Sequence, residues 1–354
     1  MKKIFTVIAM LCSLTSFSQY GSASWPEFFF GRQPSARAEA MGKSYVAIDG
    51  DLATVHFNPA GISSISNLEF NYSHTPPNYY FTKGYYTFYA FGYKQSKYLQ
   101  LALSHFRFDF GRTQVANATK TPFTETYTLT LSSEPINKLF VGANARYFVW
   151  QPGIDRASTT LYFDFGLLKK IPLSKGRLSQ SVNIGASIQN LNCSHIDATF
   201  NGTETRYELP VITRYGASYR ACLGNHFFLD SSSTFQMLVQ SEYQDVLNSK
   251  HRSAIKVAAE LLILEILAVR TGYYSESVDN FGFPDNNKSK IESITYGLGL
   301  QLPLYKKMKI PLQINLDYTS LPQVNHSIVL NDAGKFSTYS VRLSFISKKT
   351  KNYR

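Results

Sequence analysis

The chain is poor in cysteine and in charged residues. Only 3 of its 354 residues are cysteine, and only 17% are charged. Cys12 lies in a leader-like N-terminus, and the remaining Cys193 and Cys222 are too few for the disulfide framework of a small secreted scaffold. They form either one bridge or two free thiols. Soluble domains carry about 25% charged residues, so the low charge indicates that part of the surface faces something apolar.

Long apolar runs are also missing. The longest, residues 4–14, follows two lysines and is shorter than the roughly 20 residues that a transmembrane helix needs. A charged start, a short apolar core and the small residues Ser16 and Ser18 are typical of a secretory signal peptide. We therefore predict that residues 1–18 are a cleaved signal peptide and that the protein is exported.

Motifs of the common enzyme classes are absent from the sequence. The stretch Gly42-Lys43-Ser44 would end a Walker phosphate loop, but Arg37 stands where that loop needs glycine. No two histidines have the spacing of a zinc protease, no two cysteines have zinc spacing, and no nucleophile elbow occurs. We therefore predict a protein that is not an enzyme and that uses no metal or cofactor.

Aromatic residues are abundant, and they occur in alternating segments. The chain has 24 Tyr and 26 Phe. From Asn67 onward, segments of about ten residues alternate apolar with polar or small side chains, a period that is typical of strands with one apolar face. The predicted strands, about fourteen in number, begin near Asn67, Tyr85, Tyr98, Thr121, Lys138, Ser158, Gln180, Leu209, Thr234, His251, Leu264, Ile291, Met308 and Phe336.

The connections between these segments alternate in length. Most connections after even-numbered segments are short and charged, such as KQSK and YKKMK, and most after odd-numbered segments are long, such as NCSHIDATFNGTETRYE. CLGNHFFLDSSS and VLNSKH break the rule. The alternation is typical of a barrel with periplasmic turns and extracellular loops, whereas a soluble exported β-sandwich, the minor alternative, has no reason to show it. The sequence thus predicts an all-β transmembrane antiparallel barrel over residues 67–347, located in the outer membrane.

One segment is ambiguous between helix and hairpin. Residues 258–269, AAELLILEILAV, contain good helix formers, and short apolar runs cannot be assigned by periodicity alone. Both flanking stretches alternate. We therefore prefer a hairpin that turns near Leu262 to Leu264.

Three polar residues share one face of a predicted strand. His105, Arg107 and Asp109 lie two positions apart, and alternation alone places such residues on the same side. We interpret them as structural lining rather than as a catalytic group.

Residues 19–66 precede the first predicted strand and differ in character from the rest of the chain. The sequence favours a short helix that begins after Ser35 and ends at Gly42, because glycine is a frequent helix terminator. Arg37 is placed to pair with Asp49 or Asp51 across this segment. The residues expected to shape it are Arg37, Gly42, Asp49, Asp51, Asn58, Pro59 and Gly61.

The motifs SARAEAMG, YVAIDGD and FNPAGI in this segment resemble the N-terminal segment of the PorV/PorQ family of Bacteroidota outer-membrane proteins. That segment is itself similar to the hatch of FadL-type transporters, in which an Asn-Pro-Ala element recurs. AVRTGYY, YGLGL and YSVRLSF fit the closing strands of the same family. The chain departs from the pattern at Lys43, where a small residue is common, and in a basic tail at 348–354. The resemblance implies a FadL-like barrel of fourteen strands with an N-terminal hatch in its lumen.

The resemblance implies two classes of function. PorV-like and PorQ-like proteins serve type IX protein secretion and attachment, whereas FadL-like proteins pass hydrophobic molecules. Our first hypothesis is a non-enzymatic barrel that binds secretion-system proteins or cargo signal domains. The alternative is a channel for hydrophobic small molecules. Expected partners also include outer-membrane lipid and lipopolysaccharide, but not nucleic acid.

The placement of polar and aromatic residues favours the first hypothesis. A solute channel needs an apolar pocket, whereas the inward positions read from the alternation are polar. They are Gln100, Asn144, Arg146, Gln313, Asn315, Asp317 and Arg342. Aromatic residues in predicted loops would form a partner-binding surface or would only shield one another over the barrel mouth. They are Tyr79, Tyr80, Phe81, Phe281 and Phe283.

Overall fold

The computed structural model describes eleven stretches of the chain. They are residues 34–76, 84–115, 118–151, 157–174, 177–200, 203–224, 233–248, 253–278, 289–308, 310–322 and 335–346. The predicted signal peptide and the basic tail lie outside the described residues.

Fourteen strands form one closed antiparallel barrel, which confirms the predicted fold. In chain order the strands are β1 (Leu68–Thr75), β2 (Tyr85–Lys94), β3 (Gln100–Asp109), β4 (Thr113–Val115), β5 (Ala118–Lys120), β6 (Phe123–Ile136), β7 (Leu139–Gln151), β8 (Ser158–Ser174), β9 (Leu178–Gln189), β10 (His195–Phe200), β11 (Thr203–Glu208), β12 (Ile212–Gly224), β13 (Ser233–Val246), β14 (Ser253–Ile263), β15 (Leu267–Val278), β16 (Ser289–Pro303), β17 (Leu312–Pro322) and β18 (Lys335–Phe345). The pairs β4–β5 and β10–β11 are separate two-stranded hairpins. β1 pairs with β18, so the barrel has no free edge.

The two ends of the barrel differ in their connections. At one end the turns are short, at residues 95–99, 137–138 and 264–266. At the other end, the connections after β3 and β9 contain the two small hairpins. The barrel thus has a short-turn end and a long-loop end, as the alternation of connection lengths predicts.

The ambiguous segment is a hairpin. β14 ends at Ile263 and β15 begins at Leu267, and Leu264 and Glu265 between them have φ angles of 53° and 57°. Residues with positive φ allow two antiparallel strands to be joined by so short a turn. The hairpin interpretation is confirmed and the helix is excluded.

The apolar side chains of the wall point outwards. In β2, Tyr89, Phe91 and Tyr93 are 43%, 47% and 45% exposed, whereas Phe88 and Ala90 between them are each 2% exposed. Large apolar residues are exposed on strands around the barrel, among them Leu103, Leu129, Phe163, Ile184, Val257 and Leu298. An apolar outer face on a closed barrel is typical of a barrel that lies in a bilayer. Among the described residues, no helix is both long and apolar enough to cross a membrane.

Residues 34–66, which we call the plug, lie inside the barrel. They form a short helix α1 (Ala36–Ala40) and two 3-10 helices, η1 (Leu52–His56) and η2 (Pro59–Ser64), and nearly all of them are buried. The side chain of Asp51 caps η1 by accepting a hydrogen bond from the backbone N–H of Ala53 at 3.0 Å. A second short helix, α2 (Leu304–Lys307), lies in the turn after β16.

Candidate functional site in the barrel lumen

The plug contacts all fourteen strands of the barrel. Hydrogen bonds or side-chain packing join it to inward-facing residues of each strand. Because a backbone segment inside a barrel loses its contacts with water, its polar groups need partners in the wall. The plug is therefore built as part of the barrel interior rather than as a loose strand in the lumen.

Arg37 joins the plug to the wall on one side. Its Nη1 donates to Asp51 Oδ2 at 3.0 Å within the plug, and its Nε and Nη2 donate to the two carboxylate oxygens of Glu260 on β14 at 2.8 and 2.7 Å. Asp51, and not Asp49, is thus the plug carboxylate that Arg37 meets. A two-pronged guanidinium–carboxylate contact is strong and fixes orientation as well as distance.

The wall continues this charged network. Arg270 on β15 bonds to both Glu260 and Asp317, and Arg342 on β18 lies 2.9 Å from Asp51. Burial alone would raise the pKa of Asp51, but the guanidinium groups of Arg342 and Arg37 lower it to about 2. Removing one partner of such a buried pair typically costs about 3–5 kcal/mol, because it leaves an uncompensated charge.

Asp49 forms a second charged attachment on the other side of the plug. Its carboxylate lies 2.9 Å from Lys170 on β8 and 3.4 Å from Arg220 on β12, and it accepts a hydrogen bond from Asn183 at 3.1 Å. Burial alone would raise the pKa of Asp49, but Arg220 and Lys170 hold it well below its usual range. The plug is therefore held by two separate ionic groups on different strands of the wall.

The first residue of the Asn-Pro-Ala-Gly motif, Asn58, makes three hydrogen bonds through its side chain. Its amide nitrogen donates to the carbonyl of Val46 at 2.7 Å and to that of Leu167 on β8 at 2.9 Å. Its side-chain oxygen accepts from the backbone N–H of Ala60 at 3.1 Å, and so caps η2, in which Pro59 is the first residue. One side chain therefore starts a helix, bridges two parts of the plug and attaches the plug to the wall.

Glycines allow the backbone of the plug to lie directly against the wall. A Cβ atom on Gly142, Gly185 or Gly272 would come within 2.4, 2.3 or 2.1 Å of plug backbone atoms. Within the plug, Gly42 has a φ of 58°, and its backbone nitrogen is the atom that a Cβ on Gly272 would meet. A Cβ on Gly61 would be 2.7 Å from the side chain of Thr54. Larger residues at these positions are incompatible with the observed contact.

Towards the long-loop end, the inner wall is aromatic. We call the inward-facing residues Tyr86, Phe88, Phe106, Phe108, Phe148, Trp150 and Tyr162 the aromatic compartment; each is at most 4% exposed. They belong to one apolar cluster with the plug residues Leu52, Val55, Ile62 and Ile65. Ile196 of the β10–β11 hairpin packs into the same cluster, so this loop lies against the compartment.

Two threonines on β6 lie in the middle of the aromatic compartment. Thr124 pairs with Phe108 on one neighbouring strand and with Trp150 on the other. Thr126 is likewise flanked by aromatic residues of β3 and β7. Thr124 is 1% exposed, and its hydroxyl has no hydrogen-bond partner within the described residues. A buried hydroxyl without a partner is costly, and Thr124 therefore adds a polar group to a mostly aromatic wall.

The prediction of a polar interior was wrong for this half of the barrel. Asn144 and Arg146 do face inwards, at 2% and 3% exposed, as do Gln100, Asn315 and Ser340 at 0%, 5% and 4%. However, the same face of β7 also carries Phe148 and Trp150. Alternation carries the inward face of Asn144 and Arg146 on to Phe148 and Trp150. The sequence therefore contained this signal, and the prediction missed it because Tyr147-Phe148-Val149-Trp150 is apolar on both faces.

His105, Arg107 and Asp109 share a face, but it is the outer face of the barrel. They alternate on β3 with buried Phe106 and Phe108. His105 and Arg107 lie 3.1 and 3.0 Å from Glu125 of β6, and Arg107 lies 3.2 Å from Asp109. The trio therefore belongs to an ionic cluster on the outer wall and does not line the lumen. In the described part of the chain, no three His, Cys, Asp or Glu residues are arranged to hold a metal ion.

Two further expectations concern the aromatic residues of the loops and the cysteines. Tyr79, Tyr80, Phe81, Phe281 and Phe283 lie outside the described residues, so the loop surface stays a prediction. Cys193 and Cys222 are both described, and neither forms a disulfide.

Comparisons with known proteins concern the fold alone. No family model matches the chain. No curated protein matches its sequence. Among solved structures, the chain is similar to the CymD monoaromatic hydrocarbon channel, with a TM-score of 0.45 and 10% identity over 89% of this chain and 98% of that chain. It is also similar to the Pseudomonas putida toluene transporter TodX, with a TM-score of 0.45 and 11% identity over 89% and 98%. A Pseudomonas aeruginosa FadL homologue gives a TM-score of 0.47 and 10% identity over 89% and 98%.

Proposed function

We propose that this protein is a non-enzymatic outer-membrane barrel that binds small hydrophobic molecules in its aromatic compartment and passes them beside the plug. The outward apolar wall supports placement in a bilayer, since this surface would otherwise be exposed to water. The single observation that carries the binding function is the aromatic compartment, which lies inside the lumen at the long-loop end.

The chemistry of the compartment supports a hydrophobic ligand. A small-molecule site is mostly apolar and aromatic, with a few polar groups that fix the orientation of the ligand. Aromatic residues supply most of the compartment wall, and Thr124 supplies a hydroxyl without a partner in the described residues. Such a site favours a flat or flexible apolar molecule that also carries one hydrogen-bonding group.

Binding of N-phenyl-1-naphthylamine, an uncharged aromatic probe, tests this function in the purified barrel. Phe106 faces the compartment at 4% exposed, whereas Phe163 faces outwards at 42% exposed. The same substitution at the two positions therefore separates the lumen from the outer wall. We expect Phe106→Ala to weaken probe binding and Phe163→Ala to leave it unchanged. Equal binding by both variants and the wild type would contradict the proposal.

A second function, type IX protein secretion or attachment of the PorV/PorQ kind, is favoured by the way the plug is fastened. Ionic groups and backbone contacts hold the plug to most strands and side-chain packing holds it to the others, as suits a barrel that serves as a rigid binding scaffold. Its test is to replace Tyr79, Tyr80, Phe81, Phe281 and Phe283 by Ser. Loss of co-purifying secretion proteins or cargo signal domains, with the barrel still folded and with no probe binding by the wild type, would favour this function over the first.

A further inference from the structure

The boundary between plug and wall is apolar where the plug meets β2 and β3. Leu52 and Ile65 of the plug face Ala90 and Gly92 of β2 and Ala102 of β3, and we call these five residues the apolar seam. Their apolar side chains are at most 3% exposed. Small residues form the wall side of the seam, and larger aliphatic side chains form the plug side.

In other sectors, apolar contacts are combined with charges or with backbone contacts. Arg37 bonds to Glu260 on β14, and Asp49 lies between Lys170 and Arg220 on β8 and β12. Parting these sectors would leave buried charges without partners, which is costly. Parting the apolar seam exposes only apolar side chains, and an apolar solute would replace the contacts that are lost.

Gly92 differs from Gly142, Gly185 and Gly272. The atoms nearest to a Cβ at Gly92 would be Leu52 Cδ2 at 2.4 Å, Ile65 Cδ1 at 2.8 Å and Leu52 Cγ at 3.3 Å. These atoms belong to the ends of flexible side chains. At Gly142, Gly185 and Gly272 the nearest atoms are plug backbone. Only at Gly92, among these positions, can the contact give way by rotation of side chains.

The seam is continuous with the aromatic compartment. On β2, inward-facing Phe88 of the compartment is followed by Ala90 and Gly92 towards the short-turn end. On β3, the inward-facing residues in the same direction are Phe106, Ser104 and Ala102, and Ala102 pairs with Gly92. The seam ends beside Lys94, whose Nζ donates to the carbonyl of Ser63 in the plug at 3.0 Å. A path lined mainly by apolar side chains, with Ser104 as a polar member, thus runs from the compartment to the short-turn end.

From these contacts we infer that hydrophobic solutes leave the aromatic compartment along the apolar seam, between the plug and strands β2 and β3, while the charged sectors keep the plug in place. This inference rests on the proposed function. The seam is closed in this structure, and rotation of Leu52 and Ile65 opens it. Solute then passes without release of the plug and without a water-filled pore.

Entry of N-phenyl-1-naphthylamine into cells that carry the barrel tests the route, and binding to the purified barrel is measured alongside. Gly92→Leu fills the seam, and Gly92→Ala fills it less, in case the larger residue prevents folding. Ala221→Leu, on the outward face of β12, adds the same bulk away from the lumen. We expect both Gly92 variants to bind the probe as the wild type does but to lose entry, with the greater loss in Gly92→Leu. Ala221→Leu should retain both.

The outcomes separate the route from the function. If the wild type binds and admits the probe, and both folded Gly92 variants admit it at the same rate, the route is wrong and the proposed function stands. If the wild type neither binds nor admits the probe more than cells without the barrel, the proposed function fails. Leu52→Ala, which widens the seam, should speed entry without raising ion conductance, and raised conductance would show that the plug itself moves.

Discussion

Arg37 and Glu260 are 223 positions apart in the sequence, yet two guanidinium nitrogens of Arg37 donate to the two carboxylate oxygens of Glu260 at 2.8 and 2.7 Å. This contact fastens the plug to the wall strand β14. Arg270 on the next strand bonds to the same carboxylate. The position of the plug is therefore set by charges that come together only when the barrel closes.

Replacing Arg37 by Met should destabilise the barrel by about 3–5 kcal/mol, because Glu260 and Asp51 each lose a buried partner. The measurement is the free energy of unfolding in denaturant. Arg37→Met combined with Glu260→Gln should cost less than the sum of the two single changes, because the pair interacts directly. Additive losses would show that the two residues do not depend on each other.

Gly272→Val should displace the plug, because a Cβ at this position would lie 2.1 Å from the backbone nitrogen of Gly42. We expect higher ion conductance in planar bilayers than the wild type shows. Gly224→Val is the matched control, since its Cβ would meet only the carbonyl of Arg177 at 3.4 Å. Deletion of residues 35–62 should give still higher conductance. Equal conductance of that deletion variant and the wild type would contradict the claim that the plug blocks the lumen.

Leu343→Arg should destabilise the barrel by about 2–4 kcal/mol if this part of β18 lies near mid-membrane depth, because the arginine would face lipid. On β18, Ser340 and Ser344 are buried on the inner face. Leu343 lies next to Ser344 in the chain and therefore faces outwards. Leu247→Arg, in the turn after β13, is the control and should be nearly neutral. The measurement is the unfolding free energy in lipid vesicles, and equal values for the two variants would argue against a lipid-facing wall.

The plug should stay attached at neutral and mildly acidic pH and loosen only in strong acid. The pKa of Asp51 is lowered from 3.8 to about 2 by its guanidinium partners, so its stabilising effect is present above pH about 4 and is lost as the pH falls towards 2. Conductance of the wild type should therefore be low at pH 5 and rise near pH 2. Asp51→Asn should conduct more at both pH values, and a wild type that opens between pH 7 and 5 would conflict with this assignment.

The strands could be predicted from the sequence because alternation is a local property. Every barrel strand begins within four residues of its predicted start. The pairing of Arg37 with Asp51 was also within reach, since both residues lie in one short segment. The pairing of Arg37 with Glu260 could not be predicted, because only the register and closure of the fourteen strands bring Glu260 close to Arg37.

The aromatic compartment was not predicted, for a different reason. Alternation from Arg146 already places Phe148 on the inner face, where it is 0% exposed. However, alternation within one strand does not show that the inward aromatic residues of several strands come together, because that depends on the pairing of the strands. The burial of the inward side chains in such stretches depends on the plug that packs against them.

The most direct test of the account is whether a hydrophobic probe binds beside Trp150. The chain has 2 Trp, so Trp25→Phe leaves Trp150 as the only indole, and its fluorescence reports on the aromatic compartment. The account predicts saturable quenching of Trp150 by N-phenyl-1-naphthylamine, weakened by Phe106→Ala and unchanged by Phe163→Ala. Probe binding that leaves Trp150 fluorescence unchanged, or no saturable binding at all, would contradict the claim that the lumen holds a site for hydrophobic molecules.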